Sequence, residues 1–341
     1  MKTALSKVYI ALVLAVCLSL SLGMLLVGPA QPAGNERLAP APALRGADGR
    51  LNAGFLSDCA DYLGDRFAFR QELVSVWSAL HAALGSSTQE QVIQGREGWL
   101  YYAPTLPDVC GQSLSDGELE AIAQHLAQIQ AEAESRGAVF LFTVAPDKAS
   151  LYPEALPAAY PRLHEQGTLE RLRPYLQAAG VHYVDLFDLP MPYYRTDSHW
   201  TARGAAMAAD RLLAELGRES AYAAGPFREE GPRSGDLYVM LYPAGPGSEP
   251  GIAYDGTLRF EHLSEPRGGD AIRFETAGEG QGRLWCWRDS FGVALYPYLA
   301  DAFQEAVFTR SRDYSLPAGE DCDVAILEIV ERELPSLIPE D

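Results

Sequence analysis

Two short motifs, Asp197-Ser198-His199-Trp200 and Asp289-Ser290-Phe291, hold the residue types of a serine-nucleophile acyl-transfer site. A serine hydroxyl is a weak nucleophile near neutral pH. To attack an ester carbonyl it needs a general base, itself oriented by an acid. With one residue between them, Asp197 and His199 can project to the same side of an extended loop. The carboxylate then fixes the ring tautomer while the other nitrogen faces Ser290. Of the six histidines, only His199 has a carboxylate two positions away and an adjacent aromatic. His81, His125, His164, His182 and His262 read as structural or solvent-facing. Each motif alone has an ordinary explanation: Asp-Ser after a strand is commonly a helix cap, and Asp-x-His a surface pair or half of a metal site. A metal centre needs further ligands at recognisable spacing. None is seen in the sequence, so neither a metal nor a cofactor is expected.

The elements around these motifs favour the chemical reading. Ser290 follows the apolar strand Leu284-Trp285-Cys286-Trp287 and precedes a helix. That strand-to-helix turn exposes a hydroxyl beside backbone N–H groups able to face an oxyanion. Ser115 with Glu118 is a capping-box start for a helix to about Arg136, and Ala138 to Val144 is then a continuous apolar run. The alternation continues with a helix near Gln166 to Ala179, a strand Val181 to Leu186 and a helix from about Thr201 to Leu216. It resumes with Arg283 to Trp287, a helix from about Val293 to Phe303, Ala306 to Thr309 and Val324 to Val330. This pattern predicts an α/β fold, a mostly parallel sheet with helices on both faces. Residues from about 221 to 282 are dense in Gly and Pro, with alternating pieces such as Asp236-Leu237-Tyr238-Val239 and Ala271-Ile272-Arg273-Phe274. They read as a mainly β insertion able to shape a substrate groove.

Lys2 and Lys7 precede an uncharged run from Val8 to Val27, 20 residues long. At about 1.5 Å per residue it reaches about 30 Å, a bilayer core, whereas a signal peptide has a shorter apolar region. Residues 1–28 are therefore expected to be an uncleaved membrane anchor, with a cleaved signal as the alternative. The lysines place the remainder outside the cytoplasm. A Pro/Ala/Gly-rich linker (29–54), a helical lead-in (55–89) and the main domain (90–341) follow. Gln91–Gln94 and Trp99–Tyr102 about Gly95–Gly98 form a hairpin signal. Cys17 reads as lipid-facing. Cys59, Cys110, Cys286 and Cys322 are an even set in a compartment that allows disulfides, with three possible pairings; Cys59–Cys110 with Cys286–Cys322 is favoured over others, and free thiols stand beside it. With 27 Lys+Arg against 46 Asp+Glu, the net charge of −19 argues against nucleic acid as a partner, and an anionic polymer would need a local basic groove.

The segment Tyr193-Tyr194-Arg195-Thr196-Asp197-Ser198-His199-Trp200-Thr201, followed by Gly204, resembles the signature of the DHHW proteins and the related alginate O-acetyltransferases AlgJ and AlgX. Other blocks agree in order: Gly95-Arg96-Glu97-Gly98-Trp99-Leu100-Tyr101-Tyr102, Pro146-Asp147-Lys148 with Leu151-Tyr152-Pro153, Arg288-Asp289-Ser290-Phe291-Gly292, and Glu331-Arg332-Glu333-Leu334-Pro335. The likeness covers about residues 90–335. Ser198 stands where the signature has its first His, and Arg288 where the alginate proteins have a Gly.

The resemblance implies an SGNH hydrolase-like domain with permuted motif order and Asp197, His199 and Ser290 as a catalytic triad. It also implies a role in moving acetyl groups on exported polysaccharide, with a membrane-bound O-acyltransferase as acetyl supplier. Arg195, Tyr194 and Trp200 flank the triad and either bind acceptor sugar or pack. Arg288 either supports the site or faces solvent. Lys148 and Tyr152 either approach the cleft or make structural contacts. Three functions are open: an extracytoplasmic, membrane-anchored O-acetyltransferase on a secreted or surface polysaccharide, an acetyl esterase with the same triad, and a non-catalytic glycan-binding assembly subunit.

Overall fold

A computed structural model describes residues 2–34, 36–46, 48–111, 114–163, 166–263 and 271–339. In chain order the elements are α1 (Lys2–Leu26), α2 (Phe55–Arg66), α3 (Arg70–Ala83), β1 (Val92–Gln94), β2 (Leu100–Tyr102), α4 (Leu106–Val109), α5 (Asp116–Ser135), β3 (Val139–Ala145), α6 (Lys148–Leu151), α7 (Thr168–Ala178) and β4 (Tyr183–Val184). Then come α8 (Ala202–Glu215), β5 (Phe227–Arg233), α9 (Asp236–Leu241), β6 (Glu249–Tyr254), β7 (Phe260–His262), β8 (Arg273–Gly278), β9 (Arg283–Trp287), α10 (Gly292–Ala302), β10 (Glu305–Thr309) and β11 (Val324–Val330). They form two compact units, Met1–Val92 with Asp236–Gly247, and Ile93–Gly235 with Ser248–Asp341.

The first unit is helical. Within α1, Ser6–Leu26 is 21 residues of mean hydropathy 2.5, long and apolar enough to cross a bilayer. The Cys17 side chain lies outside the described residues. The expected lead-in helix is two helices, broken where Phe69 takes a left-handed φ of 63°. The linker is tied to that corner by Ala30 N donating to Arg66 O (3.0 Å) and by Arg70 donating twice to the Glu36 carboxylate. Asp236–Val239, expected as a strand, opens α9. Its buried residues Leu237 and Leu241 are four apart, one helix face, a spacing that a four-residue piece cannot distinguish from alternation.

The second unit is built on a seven-stranded sheet of order β4-β3-β11-β9-β10-β8-β7. The pairings β4–β3, β3–β11, β11–β9 and β9–β10 are parallel, and β10–β8 and β8–β7 antiparallel, so the sheet is mixed. β7 and β8 fall inside the stretch expected as an insertion, yet they extend the sheet, whereas β5 and β6 of the same stretch form a separate antiparallel ribbon.

Alternation along the buried strands divides the core. Leu141, Cys286, Phe308 and Ile326 face α8 and α10, while Phe140, Phe142, Trp285 and Leu327 face α5 and α7. The capping box is present: Ser115 Oγ accepts from Glu118 N, and the Glu118 carboxylate accepts from Ser115 N.

The same alternation corrects the expected disulfides. Cys286 points into one core layer and Cys322 packs against the other, so their sulfurs lie on opposite faces of the sheet. Cys59, Cys110, Cys286 and Cys322 are all free thiols. Burial pushes the Cys322 thiol up to about 11, which suppresses the reactive thiolate. Unfolded without reductant, the protein is therefore expected to react with a thiol reagent at all four positions, and reductant should leave its thermal midpoint unchanged. A midpoint that falls on reduction would show a disulfide after all.

Candidate active site

The loop after β4 turns back on itself before α8. Tyr193 and Trp200 form an antiparallel bridge, Tyr194 N donates to His199 O (3.3 Å), and Thr201 N donates to Pro192 O (2.9 Å). Asp197 and His199 sit at the tip of this narrow hairpin. Thr201 caps α8 by accepting from Gly204 N, and Gly204 lets the helix approach closely, since a Cβ there would lie 2.9 Å from Pro192 O.

The tip is gripped from several directions. Lys148, buried at the start of α6, donates from Nζ to the carbonyls of Asp197 (2.6 Å), Arg195 (3.1 Å) and Tyr194 (3.2 Å). Leu100 N of β2 donates to Arg195 O (2.8 Å). Glu249, at the start of β6, accepts from the backbone N–H groups of Arg195 (2.8 Å) and Thr196 (2.9 Å) and from the Thr196 hydroxyl. Gly235 lies against the same backbone. A Cβ on it would stand 2.2 Å from Thr196 O and 2.7 Å from Asp197 N.

At this tip the side chains form a continuous relay. Asp197 Oδ1 accepts from His199 Nδ1 (2.7 Å) and from His199 N (3.0 Å), and His199 Nε2 meets Ser290 Oγ at 2.9 Å. A carboxylate only accepts, so Nδ1 carries the proton and Nε2 is the nitrogen free to take one from Ser290. The Ser198 hydroxyl also stands 3.2 Å from Nδ1. Burial by itself raises the Asp197 pKa, but the hydrogen bond from His199 and the charges of His199 and Arg233 hold this carboxyl well below the usual carboxylate range. Arg233 supplies the second half of that environment: its Nη2 donates to Asp197 Oδ2 at 2.8 Å.

Ser290 is set by the turn between β9 and α10. Asp289 Oδ1 accepts from Phe291 N and Oδ2 from Val330 N, both at 2.7 Å, which ties the turn to the end of β11. Burial pushes the Asp289 carboxyl up. Among the described residues, the backbone N–H groups of Ser290 and Gly292 make no hydrogen bond. The Arg288 side chain passes so near Gly292 that a Cβ there would meet it at 2.6 Å. A cavity of about 280 Å³ opens at Ser290, lined by Arg288, Arg310, Arg312 and Tyr314, by Asp289 and Glu333, and by the buried Glu328, whose carboxyl is pushed up by burial and by Asp289.

The other expected site residues fall differently. Arg195 is exposed beside the triad. Tyr194 is half-buried and its hydroxyl is engaged by Ile252 N (2.9 Å) on β6. Trp200 is corrected to a core residue. Only 1% exposed, with Nε1 donating to Phe291 O and its ring edge-on to Phe291, it has no open face for a sugar. Arg288 does not face solvent; it is 4% exposed, donates to Ala271 O and Asp289 O, and walls the cavity. Lys148 and Tyr152 both hold backbone, Tyr152 through a hydroxyl bond to Met191 O (2.6 Å). His125 bonds Leu337 O, His81 pairs with Ser86, and His262 packs at a tilt against Phe274; His164 lies outside the described residues. Arg233, Glu249 and Gly235 had no sequence signal, because a charge or glycine in a Gly/Pro-rich stretch gains its role only from the ribbon's register.

The order Asp-x-His then Ser, hydrogen-bonded at the carboxyl ends of a sheet, is the arrangement that serine acyl-transfer sites use. Residues 92–257 match the family model described as "SGNH hydrolase-like domain, acetyltransferase AlgX". The probable alginate O-acetylase AlgJ of Pseudomonas syringae pv. tomato is 26% identical over 208 residues, 56% of this chain and 51% of the relative. This chain thus spans about half the length of the curated relatives it matches. PatB1 of Bacillus cereus superposes with a TM-score of 0.55 at 15% identity, over 71% of this chain and 96% of that one. A DHHW family protein from Eubacterium siraeum gives 0.51 at 17%, over 73% and 95%. The resemblance read from the sequence blocks to the AlgX, AlgJ and DHHW proteins therefore holds in family model, relatives and fold.

Two outcomes follow from the geometry. A group whose folded pKa is depressed contributes stability above its unfolded pKa and loses it as pH falls toward the folded value. The difference in unfolding free energy between the natural protein and Asp197→Asn is therefore expected to be constant above about pH 5 and to shrink below it. Gly235→Ala is expected to displace the tip and disorder the His199–Ser290 contact, seen as a changed His199 ring resonance in NMR. An unmoved resonance would mean that the backbone has room to spare.

Proposed function

We propose that this chain is a serine-dependent O-acetyltransferase acting on an exported polysaccharide. The observation that carries the reading is the unbroken chain of hydrogen bonds from Asp197 through His199 to Ser290. Ser290 Oγ attacks the acetyl carbonyl of the donor while His199 Nε2 takes its proton. The oxyanion of the tetrahedral intermediate is met by the free N–H groups of Ser290 and Gly292 at the start of α10. His199 returns the proton to the departing donor group, which leaves an acetyl ester on Ser290. A sugar hydroxyl, deprotonated by His199, then attacks that ester and carries the acetyl group away as His199 returns the proton to the departing Ser290 Oγ. Asp197 stays ionised throughout and stabilises the imidazolium.

The AlgJ relatives, named as probable alginate O-acetylases, support transfer to a polysaccharide. The cavity beside Ser290, lined by Arg288, Arg310 and Arg312 together with Asp289, Glu328 and Glu333, leaves room for an acceptor hydroxyl next to the serine. The apolar span in α1 supports membrane anchoring with the catalytic domain outside the cytoplasm. There a membrane-bound O-acyltransferase would deliver the acetyl group.

Ser290→Ala is expected to lower acetyl transfer from a model acetyl ester to an oligosaccharide by at least about 10³-fold. Transfer that survives this substitution would return the chain to a glycan-binding role. Release of free acetate with no acetylated oligosaccharide would instead make it an esterase.

A further inference from the structure

We infer that Arg233 is a positioning residue of the site, holding the Asp197 carboxylate so that Oδ1 is presented to His199; this rests on the triad reading above. The two oxygens of Asp197 are divided between partners. Oδ1 takes the Nδ1 and backbone N–H of His199, and Oδ2 takes Arg233 Nη2 at 2.8 Å. Asp197 is 4% exposed, and a carboxylate so far from water needs a fixed partner to remain ionised and in one rotamer. A planar guanidinium supplies both charge and direction, which a flexible ammonium does not.

Arg233 is itself fixed. It is the last residue of β5, in register with Glu249 of β6, and its carbonyl accepts from Ser248 N (3.0 Å). Its guanidinium lies 4.0 Å over the Tyr194 ring, and that ring is pinned by the Tyr194 hydroxyl to Ile252 N. Ribbon, stacked ring and carboxylate thus form one rigid path to the general base. An arginine serving only to stabilise the ribbon would be expected to satisfy both terminal nitrogens. Here Nη1 is buried with no hydrogen-bond partner among the described residues, a cost that the Asp197 contact offsets.

The ribbon therefore delivers two opposite charges to one loop from one cross-strand pair: Glu249 sets the backbone, and Arg233 sets the acid.

The test uses the full chain with a chromogenic acetyl ester, and compares the natural protein with Arg233→Ala, Arg233→Met and Ser290→Ala. Arg233→Ala is expected to lower kcat roughly 10- to 100-fold, the range for losing a charged hydrogen bond, while KM changes by less than about 3-fold. Added guanidinium ion should restore part of that loss and do nothing for Ser290→Ala. The low-field proton resonance of the His199 Nδ1–H should move in Arg233→Ala. Arg233→Met keeps the stem over Tyr194 and should lose kcat equally, which decides the matter should the alanine variant fail to fold. An unchanged kcat and resonance in a folded Arg233 variant overturns the inference, as does a loss that tracks thermal stability and is not restored by guanidinium. An active Ser290→Ala would sink the triad reading itself, whereas an inactive Ser290→Ala beside a fully active Arg233→Met would sink only the role of Arg233.

Discussion

The site depends on a buried lysine. Lys148 has given up nearly all of its contact with water, which is tolerable only because the carbonyls of Tyr194, Arg195 and Asp197 replace that hydration. The bargain works in both directions. The ammonium is satisfied only where those carbonyls converge, and it shares with Glu249 and Leu100 the holding of the loop in that turn. Trp99 and Tyr101 close over it with their rings, at 5.6 and 5.4 Å from Nζ. From the other side Glu249 accepts the N–H groups that the same turn exposes. Opposite charges thus hold opposite faces of one short backbone segment, and the side chains of Asp197 and His199 inherit its rigidity.

The parallel part of the sheet explains why such distant residues can meet. β3, β4, β9 and β11 all run the same way, so their carboxyl ends open on one edge. Pro146-Asp147-Lys148 leaves β3, the Asp197 loop follows β4, Ser290 follows β9 and Glu331-Arg332 follows β11. Arg332 donates to Asp147 at 2.7 Å, and Glu331 accepts from Asp147 N and the Ser150 hydroxyl. Burial pushes the Asp147 carboxyl up to about 6 even though the Arg332 charge draws it down. These buried carboxylates are costly, and they are placed where backbone N–H groups of neighbouring strand ends need acceptors. They cross-link the edge on which the relay stands.

Sequence reasoning reached the parts whose meaning is local. The Ser115–Glu118 box sets its own helix start, the strands Arg283–Trp287 and Val324–Val330 announce themselves as apolar runs, and an acid two residues from a histidine already contains the geometry of the pair. The blocks that mark the family resemblance are brought together at the carboxyl edge of the sheet, around Lys148, Asp147 and the relay. What escaped is set by register and burial. Arg233 and Glu249 are surface charges until β5 and β6 pair. Trp200 beside a catalytic-looking histidine suggests a sugar platform, yet the hairpin turns it inward. A four-residue alternation at Asp236–Val239 fits strand and helix alike, and β8 was hidden in an apparent insertion because its sheet partner β10 follows β9 and α10, while β7 joins the sheet only through β8.

The central claim is that Ser290 carries the acetyl group between donor and acceptor. It is tested most directly by mass spectrometry of the protein quenched during turnover with an acetyl ester and digested. The account predicts one added acetyl group on the peptide containing Ser290, present in the natural protein, lost when an acceptor oligosaccharide is supplied, and missing from His199→Ala. Active protein with no acetyl group on that peptide at any quench time, or with the group on another residue, would contradict it.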